Sequence, residues 1–340
     1  FNLKKLLNTL YITRPECYLH KERETVVIKQ GDNKLGQFPM LALQNILCFG
    51  QVSVSPGLMA ACLETGVGLS FFTEFGKFQA QVMGMPKGNV LLRRTQYRWA
   101  DDEEKSVSVA RLMIAAKVGN CRAVLMREQR NHGASDALAH AAEKMAALLE
   151  NIRHARNVPQ LMGLEGEAAS VYFGVFNSLL RSQGFEFSGR VRRPPGDPVN
   201  ALLSFAYVLL ASECASALAG VGLDPYVGFL HQDRPGRKSL ALDLMEELRA
   251  PLADRFVLTF INRGQMKLDD FVTEASGAVR LKDEARKTFL TAYQERKKES
   301  LKHPYLEESI ELGLLPHAQA LLLARHLRGD MQYYTPFAVR

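Results

Sequence analysis

Residues 85–98, with the sequence MPKGNVLLRRTQYR, divide the chain into two parts that differ in their pattern of apolar residues. Before this stretch, short apolar runs such as Thr25–Ile28 alternate with turn residues such as Gly31–Asn33, a pattern typical of β-strands. From Asp101 onward, apolar residues recur with a period near 3.6, which is typical of amphipathic helices. We therefore predict an α+β protein with a small N-terminal β-rich domain and a larger, all-α C-terminal domain.

The same patterns predict the domain bounds and the principal elements. The β-rich domain is predicted to span residues 1–87, the linker 88–100 and the helical domain 101–340. The predicted strands of the first domain lie near residues 9–13, 17–21, 25–28, 67–72 and 79–83, with a hairpin tip at 75–78 and a helix at 56–63. The predicted helices of the second domain lie near residues 101–130, 135–154, 158–182, 198–219, 239–249, 281–299 and 315–328, with a small hairpin at 271–281.

Composition limits the class of protein and the kind of partner. The 340 residues include 43 Lys and Arg against 36 Asp and Glu, which gives a formal charge of +7 and suggests an anionic partner, nucleic acid before membrane. The five cysteines are dispersed without a CxxC pair, so we expect reduced thiols, a cytoplasmic location and no zinc ribbon. The longest apolar run, around Ala201–Leu210, is shorter than the ~18 residues of a membrane span and predicts a core helix.

One carboxylate is predicted to lie on the apolar face of a helix. In the run from Leu161 to Phe173, Glu165 shares its helical face with Ala169, Tyr172 and Phe176, all apolar or aromatic. Glu167 lies on a weaker, more polar row and is predicted to be a surface residue. Because a buried carboxylate is costly unless paired, protonated or bound to metal, Glu165 is either a salt-bridge partner or a functional ligand.

A histidine and an acidic helix follow. His231 closes an apolar segment and opens a basic loop, a natural place for a functional imidazole, although a lone histidine is more often structural. Ser239 is a plausible N-cap for the next helix, in which Asp243, Glu246 and Glu247 lie together opposite an apolar stripe. Taken alone, this acidic group is most simply interpreted as a solvated helix face.

Together these residues form a candidate metal site. Carboxylates combined with one imidazole suit Mg²⁺ or Mn²⁺ better than zinc. The nearby basic residues are candidates for phosphate contacts, and they are Arg190, Arg192, Arg193, Arg234, Arg237 and Lys238. A hard metal between carboxylates and a phosphate-binding rim is the arrangement that phosphodiester chemistry uses.

Four ordered motifs resemble those of a known family. They lie at residues 162–173, 194–204, 228–231 and 240–249. By these motifs, the sequence is identified as a member of the CRISPR-associated integrase and endonuclease family of spacer acquisition, the "Cas-one" proteins. The N-terminal residues 6–11 are similar to the Dvulg-like subtype I-C branch.

This resemblance implies a β-domain that dimerises and a helical catalytic domain that holds a divalent metal. Carried over by motif, the ligands would be Glu165, His231 and Glu246, with Asp243 beside them as a further catalytic residue and Tyr207 as a possible DNA contact. Many relatives have Asp where this chain has Glu246, which leaves open whether Glu246 or Asp243 is the direct ligand. Tyr207 is equally well interpreted as a core aromatic residue.

The implied activity is metal-dependent endonuclease and integrase chemistry on double-stranded and branched DNA. In this family, a 3′-hydroxyl of the spacer attacks a repeat phosphodiester, and two dimers are bridged by a small dimeric "Cas-two" partner into a heterohexamer. Two other functions are compatible with the residues themselves. The chain could be a non-catalytic nucleic-acid-binding scaffold, or a hydrolase in which Glu165 orients His231 as a general base.

Overall fold

The structure is a computed structural model that describes residues 8–73, 78–82, 90–133, 135–191 and 194–339. The predicted α+β class is confirmed, since strands dominate the N-terminal part and helices the remainder. By its internal contacts the chain divides into two units. Unit 1 comprises Phe1–Lys87, Arg286–Ser300 and Glu311–Leu314, and unit 2 comprises Gly88–Ala285, Leu301–Ile310 and Leu315–Arg340.

Unit 1 contains two four-stranded sheets and one helix in its N-terminal part. The strands are β1 (Asn8–Ile12), β2 (Cys17–Glu22), β3 (Thr25–Gln30), β4 (Asn33–Pro39), β5 (Leu43–Phe49), β6 (Val52–Val54), β7 (Gly68–Phe72) and β8 (Phe78–Val82), and the helix is α1 (Pro56–Thr65). The sheet orders are β1-β5-β7-β8 and β4-β3-β2-β6, and apolar residues from both sheets and α1 form one core. The strands and helix predicted here are thus present, while the predicted hairpin tip falls mostly on residues 74–77, outside the described residues.

Unit 2 is mainly helical. The remaining helices of the chain are α2 (Val90–Ala100), α3 (Glu103–His132), α4 (Asp136–His154), α5 (Val158–Gly174), α6 (Pro198–Gly220), α7 (Ser239–Leu248), α8 (Arg255–Asn262), α9 (Asp283–Lys298) and α10 (Leu315–Leu327). Most of α9 belongs to unit 1, and the others belong to unit 2. Short strands pair as β9 (Phe271–Thr273) with β10 (Val279–Leu281) and as β11 (Ser300–Lys302) with β12 (Ser309–Glu311).

Several elements differ from the sequence-based expectations: β4, β5 and β6 were not predicted, and the helix predicted at 158–182 ends at Gly174. Most of the predicted linker, Val90–Ala100, is the helix α2, in which buried Leu92 and Gln96 lie on one face. Helix α8 was not predicted, because a π-helical segment over Arg249–Asp254 joins it to α7 and interrupts the 3.6 period. The C-terminal part contains short strands and is therefore not all-α, although the hairpin predicted at 271–281 is confirmed.

Helix α6 spans Pro198–Gly220 and so agrees with the predicted helix at 198–219. Its 23 residues are sufficient in length and composition to cross a membrane, but 72% of the most apolar window is buried inside the protein. Asp197 caps its first turn by accepting from the backbone N–H of Asn200 at 2.8 Å. It is therefore a core helix, as predicted.

Helices α3, α5 and α7 form the framework of the candidate site. Helix α3 packs against α4, α5 and α7. It begins at an N-cap, Asp102, whose carboxylate accepts from the N–H of Lys105 at 3.1 Å, and it ends before Gly133, whose φ is +97°. Its 30 residues span about 45 Å at the helical rise of 1.5 Å per residue, so one rigid element can carry groups that lie far apart.

A buried glutamine holds the loop that leads to His231. The side chain of Gln96 is fully buried and donates to the carbonyl oxygens of Asp224 and Val227, both at 2.8 Å. Its Oε1 accepts from the N–H of Asp224 at 2.9 Å. Without Gln96, these loop groups would lie buried and unsatisfied.

We expect Gln96→Ala to lower the free energy of unfolding by about 2–3 kcal/mol, because several buried polar groups lose their partner at once. Urea unfolding measures the change. Arg94→Ala on the exposed face of the same helix is the control and should remain within about 0.5 kcal/mol of the wild type. Equal stability of the two variants would contradict the assigned role of Gln96.

Candidate active site

The predicted ligands lie on two helices and one loop of unit 2. Glu165 is on α5, Glu246 is on α7, and His231 is in the loop before α7. The carboxylates of Glu165 and Glu246 converge on the Nζ of Lys117 on α3, with Glu246 Oε2 at 2.5 Å and Glu165 Oε1 also in direct contact. The structure therefore brings these two predicted ligands together around one positive charge.

Glu246 is a buried charge with two cationic partners. Its side chain is 7% exposed, and the guanidinium of Arg249 contacts both carboxylate oxygens at 3.0–3.1 Å. Burial alone would raise the pKa of Glu246, but Arg249 and then Lys117 outweigh it and hold the pKa well below its ordinary value, with His231 a further contributor. Glu246 is thus ionised at neutral pH, as a metal ligand or ion-pair partner must be.

Asp243 orients His231 and anchors its loop. The carboxylate is fully buried and accepts from three successive backbone N–H groups, of Phe229 (2.6 Å), Leu230 (2.9 Å) and His231 (3.1 Å). Its Oδ1 also lies 2.6 Å from Nδ1 of the His231 ring. A neutral imidazole that donates from Nδ1 to a carboxylate presents an unprotonated Nε2, which is the form that binds metals.

These contacts separate the roles of the two acidic residues between which the sequence could not choose. Both oxygens of Asp243 are engaged by its loop, whereas Glu246 faces the ammonium of Lys117 together with Glu165. The arrangement favours Glu246 as the direct ligand and Asp243 as the residue that positions His231. Gly228 is part of the same geometry, because a Cβ at this position would lie 2.7 Å from Asp243 Oδ2.

The helix-face argument for α5 agrees with the structure. Glu165 is half-buried, with a side-chain exposure of 22%, and Glu167 is exposed. The partner of Glu165 is Lys117 rather than His231, so the structure does not support the alternative in which Glu165 orients the histidine as a general base.

The interpretation of α7 as a helix with a solvated acidic face is wrong. Asp243 and Glu247 are fully buried and Glu246 is 5% exposed, because α7 packs against α3, α6 and α10. Each carboxylate has a different compensating partner: backbone N–H groups for Asp243, cations for Glu246, and neutral donors for Glu247. The amphipathic pattern could not reveal these partners because they lie far away in sequence.

Tyr207 is a buried structural residue in this structure. It is 8% exposed, and its hydroxyl donates to Asp254 Oδ1 at 2.5 Å. The guanidinium groups of Arg249 and Arg190 lie 4.3 Å and 5.2 Å from the centroid of its ring. The core-aromatic interpretation therefore replaces that of a DNA contact.

The predicted basic rim is brought together only in part. Arg190 bonds to Val191, Asn200 and Ser204, so its guanidinium helps to fix the start of α6. Arg192 and Arg193 lie outside the described residues. In the loop after His231, Arg234 is exposed and Arg237 is half-buried. The neighbouring Lys238 is also half-buried, and burial lowers its pKa to about 8.

Two central residues were not predicted. Lys117 and Arg249 supply the positive charge of the site, and both are buried. The sequence contained a signal for Lys117, since it is a lone cation within the apolar run from Ile114 to Val118 on α3. The argument that singled out Glu165 as a charge on an apolar helix face applies equally to this lysine.

The donor set fits a divalent cation, although a lysine occupies its centre. Two carboxylates and an imidazole Nε2 are suitable ligands for Mg²⁺ or Mn²⁺, and the ammonium of Lys117 shows that the carboxylates compensate a cation here. Within the described ranges, no group of three His, Cys, Asp or Glu side chains is arranged so that it could hold a metal ion. Glu165, Glu246 and His231 are the residues that would hold a metal ion, and Lys117 contacts both carboxylates in this structure.

Glu247 belongs to a neutral network behind the site. Its Oε1 accepts from Gln319 Nε2 at 2.7 Å and from the Tyr334 hydroxyl at 2.8 Å. Burial raises the pKa of Glu247 to about 8, although these hydrogen bonds act in the opposite direction. The carboxyl group is therefore protonated at neutral pH in the folded protein.

This raised pKa predicts a stability that falls with rising pH. Between about pH 4.5, the ordinary pKa, and about pH 8, the folded protein keeps a proton that the unfolded chain has lost. We expect the wild type to lose about 1.4 kcal/mol of unfolding free energy per pH unit in this range relative to Glu247→Gln, as measured by urea unfolding in EDTA. Glu143→Gln, at an exposed position on α4, is the control and should follow the wild-type pH dependence. Parallel curves for wild type and Glu247→Gln would contradict the assignment.

The chain was compared with known proteins. Residues 10–295 match the family model described as "CRISPR associated protein Cas1". The CRISPR-associated endonuclease Cas1 1 of Chlorobaculum tepidum is 47% identical over 343 residues, which cover 99% of this chain and 100% of the relative.

Among solved structures, a Cas1 protein from Thermotoga maritima has a TM-score of 0.82 at 23% identity and covers 98% of this chain and 100% of its own. A chain of a Cas6-RT-Cas1–Cas2 complex has a TM-score of 0.81 at 24% identity, and the match covers 100% of this chain and 37% of that one. These structures show the same fold. Since the family model spans most of the chain and the relative is aligned nearly end to end, this chain belongs to the Cas1 family.

Proposed function

We propose that this protein is a metal-dependent DNA endonuclease and integrase of CRISPR adaptation. The reaction is attack on a phosphodiester, by the 3′-hydroxyl of a spacer in integration and by water in cleavage. The observation that carries this proposal is the convergence of Glu165 and Glu246 on one cation beside a histidine whose Nδ1 is held by Asp243. The curated relative from Chlorobaculum tepidum is named an endonuclease.

Glu165, His231 and Glu246 would hold the metal ion. Mg²⁺ or Mn²⁺ bound there would act as a Lewis acid toward a phosphodiester oxygen. Glu165 and Glu246 supply hard anionic oxygen ligands, and His231 supplies one nitrogen. Asp243 holds Nδ1 of the imidazole and orients the ring, while Arg249 keeps Glu246 ionised.

The remaining assignments follow the sequence resemblance. The DNA substrate would be double-stranded or branched, and Arg234, Arg237 and Lys238 are the described rim residues available for its backbone. We propose a homodimer that assembles with a small dimeric Cas2 protein into a heterohexamer, in keeping with the Cas2 named in the matching complex. Membership of the Dvulg-like subtype I-C branch and a cytoplasmic location remain predictions.

The test is cleavage and strand transfer on branched DNA in Mg²⁺, Mn²⁺ or EDTA. We expect activity only with metal, and a loss of about 100-fold or more in Glu165→Ala because a metal ligand is removed. Glu167→Ala changes the same residue type two positions along α5, on the exposed side, and should remain within about twofold of the wild type. Glu165→Gln, which keeps the shape of the side chain, shows whether a loss arises from charge rather than from misfolding.

The outcomes of this test distinguish a metal-dependent enzyme from a non-catalytic DNA-binding scaffold. If a folded Glu165→Gln retains full metal-dependent activity, the ligand assignment is wrong. If the wild type binds DNA equally well in EDTA and Mg²⁺ and neither cleaves nor joins strands, the non-catalytic scaffold is the better account. The buried and charge-compensated state of the α7 carboxylates argues against that scaffold, whose acidic face was expected to be solvated.

A further inference from the structure

A second basic site lies at the far end of α3. It is a pocket of about 230 Å³ whose lining includes four arginines and one glutamate, an excess of three positive charges with histidine neutral. These charged lining residues are Arg127, Arg181, Arg255, Arg263 and Glu128. None of them was among the residues predicted from the sequence.

Specific hydrogen bonds hold the wall of this pocket in place. The backbone N–H of Arg181 donates to Asn262 Oδ1 at 2.8 Å, and Asn262 Nδ2 donates to the carbonyl oxygen of Leu179, also at 2.8 Å. These two hydrogen bonds fasten the segment that carries Arg181 to the C-terminal end of α8. The Arg181 side chain contacts His132 and lies 3.9 Å from a carboxylate oxygen of Glu128, so α3, α8 and the segment that carries Arg181 meet here.

The pocket and the candidate active site both include residues of α3. Lys117 and Glu128 are 11 residues apart on α3, which is three turns, so their side chains project from the same face about 16 Å apart. Cys121 and Val124, which lie between them on this face, are buried, so this spacing is a straight-line separation of the two sites and not a path for a strand.

The lining chemistry favours phosphate over a protein partner. Guanidinium groups present planar forks of donors that match phosphate oxygens, and arginine is the common choice for nucleic-acid backbones. Protein interfaces are centred on apolar and aromatic anchors, whereas histidine is the only aromatic side chain lining this pocket. Its one carboxylate, Glu128, is already close to Arg181.

We propose that this arginine pocket binds backbone phosphates of the DNA substrate at a position away from the reacting phosphodiester. The proposal rests on the proposed function for the identity of the polymer. Arg127 and Arg263 are both exposed, and in this proposal they contact phosphates directly. Arg181 and Arg255 complete the positive lining, and the contacts fix position without reading bases.

The test is DNA binding in EDTA, measured by fluorescence anisotropy with labelled duplex DNA over a range of NaCl concentrations. We expect the double variant Arg127→Glu, Arg263→Glu to bind about tenfold or more weakly, with the slope of log K against log salt reduced by about 2. The matched control is Lys144→Glu, Arg153→Glu on the exposed face of α4, which makes the same change in net charge. It should remain within about threefold of the wild type.

Several results would overturn the proposal. An equal loss in the control would mean that only net charge matters, and unchanged binding with an unchanged salt slope would exclude the contacts. Inorganic phosphate or polyglutamate is tested by thermal shift. If either stabilises the wild type but not the variant while DNA binding is unchanged, the ligand is a small phosphate or an acidic protein instead.

A milder variant and metal-free conditions separate DNA binding by the pocket from folding and from catalysis. If the charge-reversed protein does not fold, Arg127→Gln with Arg263→Gln tests the same contacts, with a reduced salt slope expected again. Because binding is measured without metal, it is independent of the catalytic proposal. A wild type that does not cleave DNA, together with a pocket-dependent loss of binding, would contradict the proposed function and leave the pocket assignment intact.

Discussion

The ammonium of Lys117 between the carboxylates of Glu165 and Glu246 is the contact on which the site depends. Two carboxylates this close repel each other and resist burial unless a cation lies between them. Lys117 supplies that cation from α3, and in doing so it ties α3 to α5 and α7. The ion pairs that connect these three helices thus require one positive charge between the two carboxylates.

The loop carrying His231 depends on a different form of compensation. No regular structure holds this segment, so its backbone N–H groups must find other acceptors. Asp243 accepts from three of them and from the imidazole as well, which leaves its buried charge fully hydrogen-bonded. A single carboxylate therefore sets both the course of the loop and the orientation of the histidine. The close approach of Gly228 to this carboxylate leaves no room for a side chain.

Adjacent residues on α7 illustrate how surroundings decide protonation. Glu246 faces two cations and has a strongly lowered pKa, whereas Glu247 faces neutral donors and has a pKa of about 8. The backbone around Glu247 is also anchored, because Asn120 on α3 donates to its carbonyl oxygen and to that of Phe337. The charged and neutral sides of α7 are thereby fixed by the same helix, α3, and by the C-terminal segment.

The sequence by itself determined the α+β class, most of the helices, the inward position of Glu165 and the outward position of Glu167. These features depend on local periodicity, which is written in consecutive residues. It did not determine that the α7 carboxylates are buried, that Lys117 and Arg249 neutralise the site, or that Tyr207 lies in the core. Each of these depends on which distant element packs against the residue, as with Lys117 and Glu165, which are 48 positions apart. Only the tertiary structure decided them, because the free energy of a buried charge is set by its neighbours in space and not along the chain.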